Sequence, residues 1–232
     1  MTWSILVRDP ATGAFGAAVA SRFFAVGAIC IHVEGGVGAL STQALVNPMY
    51  AVWGMQRLRA GEPADAVVAT MVAGDQGHDQ RQVHAIDAQG RIGQHSGEGC
   101  VSWAGHVAGA DVSVAGNMLA GPQVVRRTLE GWAASSGGMA ERLLSAMEAG
   151  EAAGGDKRGK QSAALKVCWR DPYPDLDIRA DDHADPLAEL RRLLAVSRER
   201  YAIFRRFLAG RDDPYGTLDR TVIDAAIARE AR

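Results

Sequence analysis

The 232-residue chain predicts an α+β fold: a layered domain of mostly antiparallel sheets over residues 1–170, then a linker and a C-terminal helical extension over 171–232. Three observations predict it. Strand-like and helix-like segments come in blocks, strands then two helices then strands again, and not in strict βαβ alternation; blocks favour stacked layers. The strands are short, rich in small residues and separated by turn signals, as close packing of a second layer on a sheet requires. Beyond residue 170 the chain turns Pro-rich and then becomes a mixed Arg/Glu helical stretch. This block order accommodates a four-layer αββα sandwich without requiring it.

The elements follow in order. Residues 2–8 read as a strand, Asp9-Pro10-Ala11-Thr12-Gly13 as a turn and 14–21 as a returning strand, together a hairpin. Residues 28–33 and 37–43 form two more strands around Glu34-Gly35-Gly36. Tyr50, Val52, Trp53, Met55 and Leu58 mark a helix over 49–60, which Gly61 ends. Pro63 opens a second helix, to about residue 73, where its missing N–H is tolerated. Residues 82–87 and 91–95 form a second hairpin. A strand over 112–115 runs into Gly116-Asn117-Met118-Leu119-Ala120-Gly121-Pro122, followed by helices over 122–134 and 138–152 and a strand over 161–169. His106 falls in a loop by this reading. In the tail, Asp185 is an N-cap and Pro186 the first helical residue. That helix extends to about residue 208, residues 212–216 break it, and a short helix follows.

Composition narrows the function. Hydrophobic residues make up 47% and charged residues 22%, with a formal net charge of -2. There is no basic stripe of the kind nucleic-acid binders carry. No apolar run approaches the roughly 20 residues of a membrane span. The first residues lack the basic start, apolar stretch and cleavage site of a signal peptide, so a cytoplasmic location is expected. Cys30, Cys100 and Cys168 lie in apolar strand-like contexts and read as reduced core residues. The histidines lack helical metal-site spacing, and neither metal nor cofactor is expected. Gly154-Gly155-Asp156-Lys157-Arg158-Gly159-Lys160 joins a helix to a strand, the reverse of a phosphate loop.

The chemistry-bearing residues begin with Thr2. Methionine aminopeptidase removes Met1 before a small residue, leaving a threonine with both a hydroxyl and a free α-amine. Such an amine, with a reference pKa of about 8, is partly neutral near pH 7 and accepts the hydroxyl proton. Ser21 and Arg22, at the end of the second strand, would stand beside it; the arginine suits a substrate carboxylate. Ser41-Thr42-Gln43 ends the fourth strand, and Gln43 with Asn117 would complete an oxyanion hole. Asn47, before Pro48, reads either as a substrate contact or as a helix N-cap. Asp156 and Ser162 would orient the amine, Arg158 would meet an anionic substrate, and His106 is the best pocket candidate among the histidines.

Taken together, Thr2-Trp3-Ser4-Ile5, Ala20-Ser21-Arg22-Phe23-Phe24-Ala25-Val26-Gly27, Thr42-Gln43-Ala44-Leu45-Val46-Asn47-Pro48, Gly116-Asn117-Met118-Leu119 and Gly154-Gly155-Asp156-Lys157-Arg158-Gly159 resemble the domain-of-unknown-function 1028 family over about residues 2–170. The resemblance implies the αββα fold of N-terminal-nucleophile (Ntn) hydrolases, similar to proteasome β-subunits. It also implies a nucleophile at Thr2 and a site near Ser21, Gln43, Asn117 and Asp156. The chain departs from the proteasome pattern: Ser21-Arg22 replaces the expected acidic position, and the third strand has no lysine. The function expected is hydrolysis of an amide-type C–N bond in a small carboxylate-bearing molecule, by a homo-oligomer, most simply a dimer. The alternative is a non-catalytic ligand-binding or regulatory protein on the same fold.

Overall fold

The computed structural model describes residues 2–230; Met1, on whose removal the nucleophile reading depends, lies outside them. Strand β1 (Thr2–Arg8) and β2 (Phe15–Ser21) form the expected hairpin, with Thr2 opposite Ser21 and Arg8 opposite Phe15. The Asp9 carboxylate accepts from Ala11 N at 2.9 Å and Thr12 Oγ1 at 2.8 Å, which closes the turn without a tight two-residue loop. A short 3-10 turn at Val26–Ala28 then delays β3 to Ile31–Glu34. It is followed by β4 (Gly38–Ala44), α1 (Pro48–Arg59), α2 (Ala64–Ala73), β5 (Arg81–Asp87) and β6 (Ile92–Ser96).

The next element, β7 (Trp103–Gly109), corrects the loop expected around His106. Its Gly-rich sequence has little intrinsic strand preference, but it pairs along its length with β8 (Val112–Leu119); tertiary pairing overrides weak local propensity. Helices α3 (Pro122–Ala134) and α4 (Met139–Ala152) precede β9 (Ser162–Cys168). A further strand, β10 (Leu176–Ala180), pairs with β9 in antiparallel register, so sheet pairing continues past residue 170. Helix α5 (Pro186–Glu199) carries its expected cap, Asp185 accepting from Ala188 N at 3.2 Å. The chain leaves helical geometry at Arg200 (φ −142°), which splits the long helix expected to residue 208. The short α6 (Tyr201–Phe204) buries Ile203, and α7 (Arg220–Glu230) follows.

The strands make two antiparallel sheets, in the orders β10-β9-β2-β1-β8-β7 and β3-β4-β5-β6. Alternation along β1 decides what each face meets. Trp3, Ile5 and Val7 join Leu143, Leu144, Met147, Leu165, Leu187 and Leu190 in a core under α3, α4 and α5. Leu6, from the other face, joins Phe15, Val19, Ile31, Ala39 and Ile86 between the sheets. A third core holds Leu40 and Val83 against Tyr50, Met55 and Val67 of α1 and α2. Each such large side chain, fully buried, contributes about 1.5–3 kcal/mol. Close approach needs missing side chains: a Cβ at Gly93 of β6 would lie 2.3 Å from Ala64 O at the start of α2. No helix of the described residues is long and apolar enough to cross a membrane.

Candidate functional site

Thr2 is the first residue of β1, a strand flanked on both sides. Its cross-strand partners are Ser21 on β2 and Asn117 on β8. It is 6% exposed, and its Oγ1 donates to Ser21 Oγ at 3.1 Å. Ser21 in turn stands opposite Ser162 on β9. Ser162 Oγ accepts from Val26 N at 3.1 Å and donates to Phe23 O, which pins the loop after β2.

Asp156 secures the other wall of this loop. Its carboxylate accepts from Arg22 N at 3.1 Å and Arg158 N at 2.8 Å, and the Arg158 guanidinium lies 3.3 Å away. Asp156 also bridges to Leu119 at the end of β8. Arg22 Nη1 donates to Arg158 O. Thr2, Ser21, Arg22, Asn117, Asp156, Arg158 and Ser162 therefore share one end of the six-stranded sheet. The cationic members lie on the β2 side of Thr2 and Asn117 on the other.

Between the sheets runs a buried polar network built around Gln82 of β5, which the sequence reading did not single out. Gln82 Nε2 lies 3.1 Å from Gly105 O and 2.9 Å from Gly116 O, and 2.7 Å from Ser96 Oγ. Two backbone carbonyls can only be met by a donor, so the orientation of this amide is set. Gln82 Oε1 must then accept, and it does so from Gln43 Nε2 at 2.7 Å and Asn117 Nδ2 at 3.0 Å. Gln43 Oε1 is thereby turned toward Ser4 Oγ at 2.8 Å and Ser41 Oγ at 3.3 Å. Asn117 Oδ1 is the end left over: it is buried and has no hydrogen-bond partner among the described residues.

His84 extends the network, with Nε2 2.8 Å from Ser4 Oγ and Nδ1 2.7 Å from Ser113 Oγ. Complete burial, with a smaller contribution from His106, lowers its pKa to about 3, so the imidazole is neutral. His106 itself sits on β7, where Nδ1 is 3.0 Å from Ser96 Oγ. Burial and, secondarily, His95 lower its pKa. Its side chain connects to Gln82 through Ser96. Asn47 is engaged elsewhere: it caps α1, accepting from Met49 N at 3.1 Å, and its Nδ2 donates to Asp75 at 3.3 Å. The signal for the missed residues was present in the strands. Ser41 and Gln43, and Gln82 and His84, are polar at i, i+2, with Leu40 and with Val83 and Ala85 pointing the other way, which places two polar residues of each strand on one buried face.

Beside Asn117 opens a cleft of about 240 Å³, whose walls include Ala44, Leu45, Cys100, Val101 and Met118. Two of these are non-glycine residues in left-handed geometry, Ala44 (φ 69°) and Met118 (φ 56°). Such conformations are costly and cluster at functional sites. Cys30, Cys100 and Cys168 are free thiols; the first and last are buried, and burial pushes both up to about 12. Among the described residues, no group of three or more His, Cys, Asp or Glu side chains is arranged to hold a metal ion.

The model of a family of unknown function, DUF1028, matches residues 2–190. In solved structures the chain is similar to protein SPO2555 from Silicibacter pomeroyi, described under the same family model. Identity is 31%, with 94% of this chain and 99% of that one covered and a TM-score of 0.87. Similarity to Anbu (ancestral beta-subunit) from Yersinia bercovieri is far lower: 9% identity and a TM-score of 0.38 over 84% of this chain and 94% of that one. No curated protein matches the chain.

Proposed function

Because the chain belongs to the DUF1028 family of unknown function, membership brings no reaction with it, and we propose one from the site: an N-terminal-nucleophile hydrolase that cleaves the C–N bond of a small, carboxylate-bearing amide, with Thr2 as nucleophile once Met1 is removed. The observation that carries the reading is the seating of Thr2, in register between Ser21 and Asn117 on a flanked strand, with Oγ1 held 3.1 Å from Ser21 Oγ. An N-terminal residue usually frays; this one is gripped on both sides. The fold reading that accompanies it is an Ntn-type αββα sandwich, supported by the three successive cores of helix on sheet, sheet on sheet and sheet on helix.

In this mechanism the Thr2 α-amine takes the hydroxyl proton as Oγ1 attacks the amide carbon, then passes it to the departing nitrogen. Water hydrolyses the resulting ester and restores Thr2. The network spends one of the two Asn117 Nδ2 hydrogens on Gln82; the second is the side-chain donor in register with Thr2 for the oxyanion. Gln43, with both amide ends engaged, is a positioning residue that acts through Gln82. Arg22, exposed one residue past Ser21, binds the carboxylate. Asp156 and Ser162 hold the loop that carries it.

Intact-mass measurement and a screen of amides, lactams and N-acyl amino acids test the proposal. A mature chain lacking Met1, an acyl adduct on Thr2, and turnover abolished by Thr2→Ala with the fold intact are the expected results. Undiminished turnover in that variant overturns it. The burial of Thr2 favours the competing reading, a ligand-binding protein on the same fold. A chain that retains Met1 has no free Thr2 amine and decides for that reading.

A further inference from the structure

We propose that the cleft beside Asn117 is the specificity pocket of this site, and that it selects a compact apolar group joined to an N–H donor, which Asn117 Oδ1 accepts. The inference rests on the Thr2 reading for its place in a reaction, but its binding half stands on separate observations. The first is the orphaned acceptor. Asn117 is 1% exposed, and a buried acceptor without a partner is destabilising. Flipping the amide would not relieve it. Gln82 Oε1 is fixed as an acceptor by the carbonyls of Gly105 and Gly116, so Asn117 must keep Nδ2 toward Gln82. The protein thus holds a rigid acceptor that no other described residue satisfies.

The second observation is the cleft itself. Asn117 is one of its wall residues, alongside Leu45, Val101 and Met118. Leu45 and Val101 are 56% and 63% exposed, large apolar side chains held at the rim. The volume, about 240 Å³, lies below the roughly 300–1,000 Å³ typical of drug-sized ligands, so the occupant is a few carbons across. The left-handed turns at Ala44 and Met118 set the two strand ends that form the walls.

The chemistry of the ligand follows. An ester, a ketone or a free carboxylate presents no donor and leaves Oδ1 unpaired, whereas a secondary amide or ureide presents one. A site built around a buried polar group rejects analogues lacking the partner far better than an apolar pocket rejects an extra methylene. With the carboxylate anchored near Arg22 on the opposite side of Thr2, the substrate class becomes a small N-acylated or ureido acid whose apolar arm carries the N–H.

The test uses matched probes on the full chain bearing Thr2→Ala, so that binding is read without turnover. N-butylacetamide and butyl acetate differ in the N–H donor, and N-methyl-N-butylacetamide supplies the amide without it. Protein-observed NMR titration is expected to show N-butylacetamide binding at least tenfold tighter than either analogue, with shifts at Leu45, Val101 and Met118. Asn117→Ala should erase that preference. Val101→Trp, a surface change that fills the cleft and leaves the core intact, should weaken all three probes at least tenfold. Equal affinities for the three probes, or affinities that Val101→Trp leaves unchanged, overturn the proposal. So does an amide preference unchanged in Asn117→Ala, which would assign Oδ1 no role in the pocket. Absence of turnover in the parent protein with the amide preference intact would instead overturn the hydrolase reading and leave this pocket standing.

Discussion

The layer between the two sheets has two unlike ends. Along β1 the inward residues run Thr2, Ser4, Leu6; along β5, Gln82, His84, Ile86; along β4, in the opposite direction, Ala39, Ser41, Gln43. One end is therefore apolar, filled by Leu6, Phe15, Val19, Ala39 and Ile86. The other, at Thr2, is a set of amides, hydroxyls and one imidazole with almost every polar atom paired. The same backbone geometry builds both. The apolar end stabilises by removing surface from water. The polar end stabilises little in net terms, because its hydrogen bonds replace those to water, but leaving any member unpaired is expensive. What the polar end provides is fixed orientation: each amide is held in one sense by the next, and the direction is set at Gln82 by two backbone carbonyls.

The comparison can be broken at Gln82. Gln82→Leu removes the partner of Gln43, Asn117, Gly105 O and Gly116 O at once. It should cost about 1–3 kcal/mol for each group left unpaired, measured by chemical denaturation, and should abolish turnover. A variant that is as stable and active as the parent would show the polar end to be merely tolerated. At the apolar end, Phe15→Ala should destabilise by about 3–5 kcal/mol. Turnover per folded molecule, measured well below its melting temperature, should be unchanged. Loss of activity there would erase the distinction between the two ends.

A smaller effect follows from pH. The folded chain holds the His84 pKa near 3 by burial, whereas an unfolded chain takes up that proton from about pH 6.5. Unfolded molecules thus bind more protons in this window, and stability falls as pH is lowered from about 6.5 toward 3. His106, also lowered, acts in the same direction. Denaturation midpoints between pH 7 and 5, above the range where carboxylates titrate, should show a shallower slope in His84→Gln than in the parent; equal slopes would remove His84 from the account. Smallest of all, Asn47→Ala should cost about 1 kcal/mol through loss of the α1 cap and leave turnover unaltered. A raised KM in that variant would return Asn47 to the binding site.

Much of the framework was legible in the residues. The hairpin of β1 and β2 put Ser21 beside Thr2 from the sequence alone, because two strands joined by a turn have few ways to pair. The helix over 122–134 and the Asp185 cap could be read from Pro positions and apolar spacing alone. The site was legible only where it is local. Asn47 showed its capping signal, and the structure places it in a cap. Gln43 and Asn117 were recognisable as polar residues at strand ends, but not that both would be tied to Gln82. Nothing near Gln82 in the sequence announces a partner on β4 or β8. Similarly, β7 lacks a strong strand pattern of its own, and pairing to β8 makes it a strand; in β10 the alternation of Leu176, Ile178 and Ala180 with Asp177 and Arg179 was a legible strand signal.

The sequence by itself determined where the chain alternates, where it winds and where it turns, because those choices follow from a backbone period of two or 3.6 residues and from the conformational limits of Pro, Gly and Asp. It also determined that one end of several strands would be polar. Only the tertiary structure decided the register that seats Thr2 between Ser21 and Asn117, and the sense of the amides that leaves Asn117 Oδ1 without a partner. Both depend on groups distant in sequence meeting across a closed layer. There, hydrogen-bond geometry admits one arrangement, and no local rule contains it.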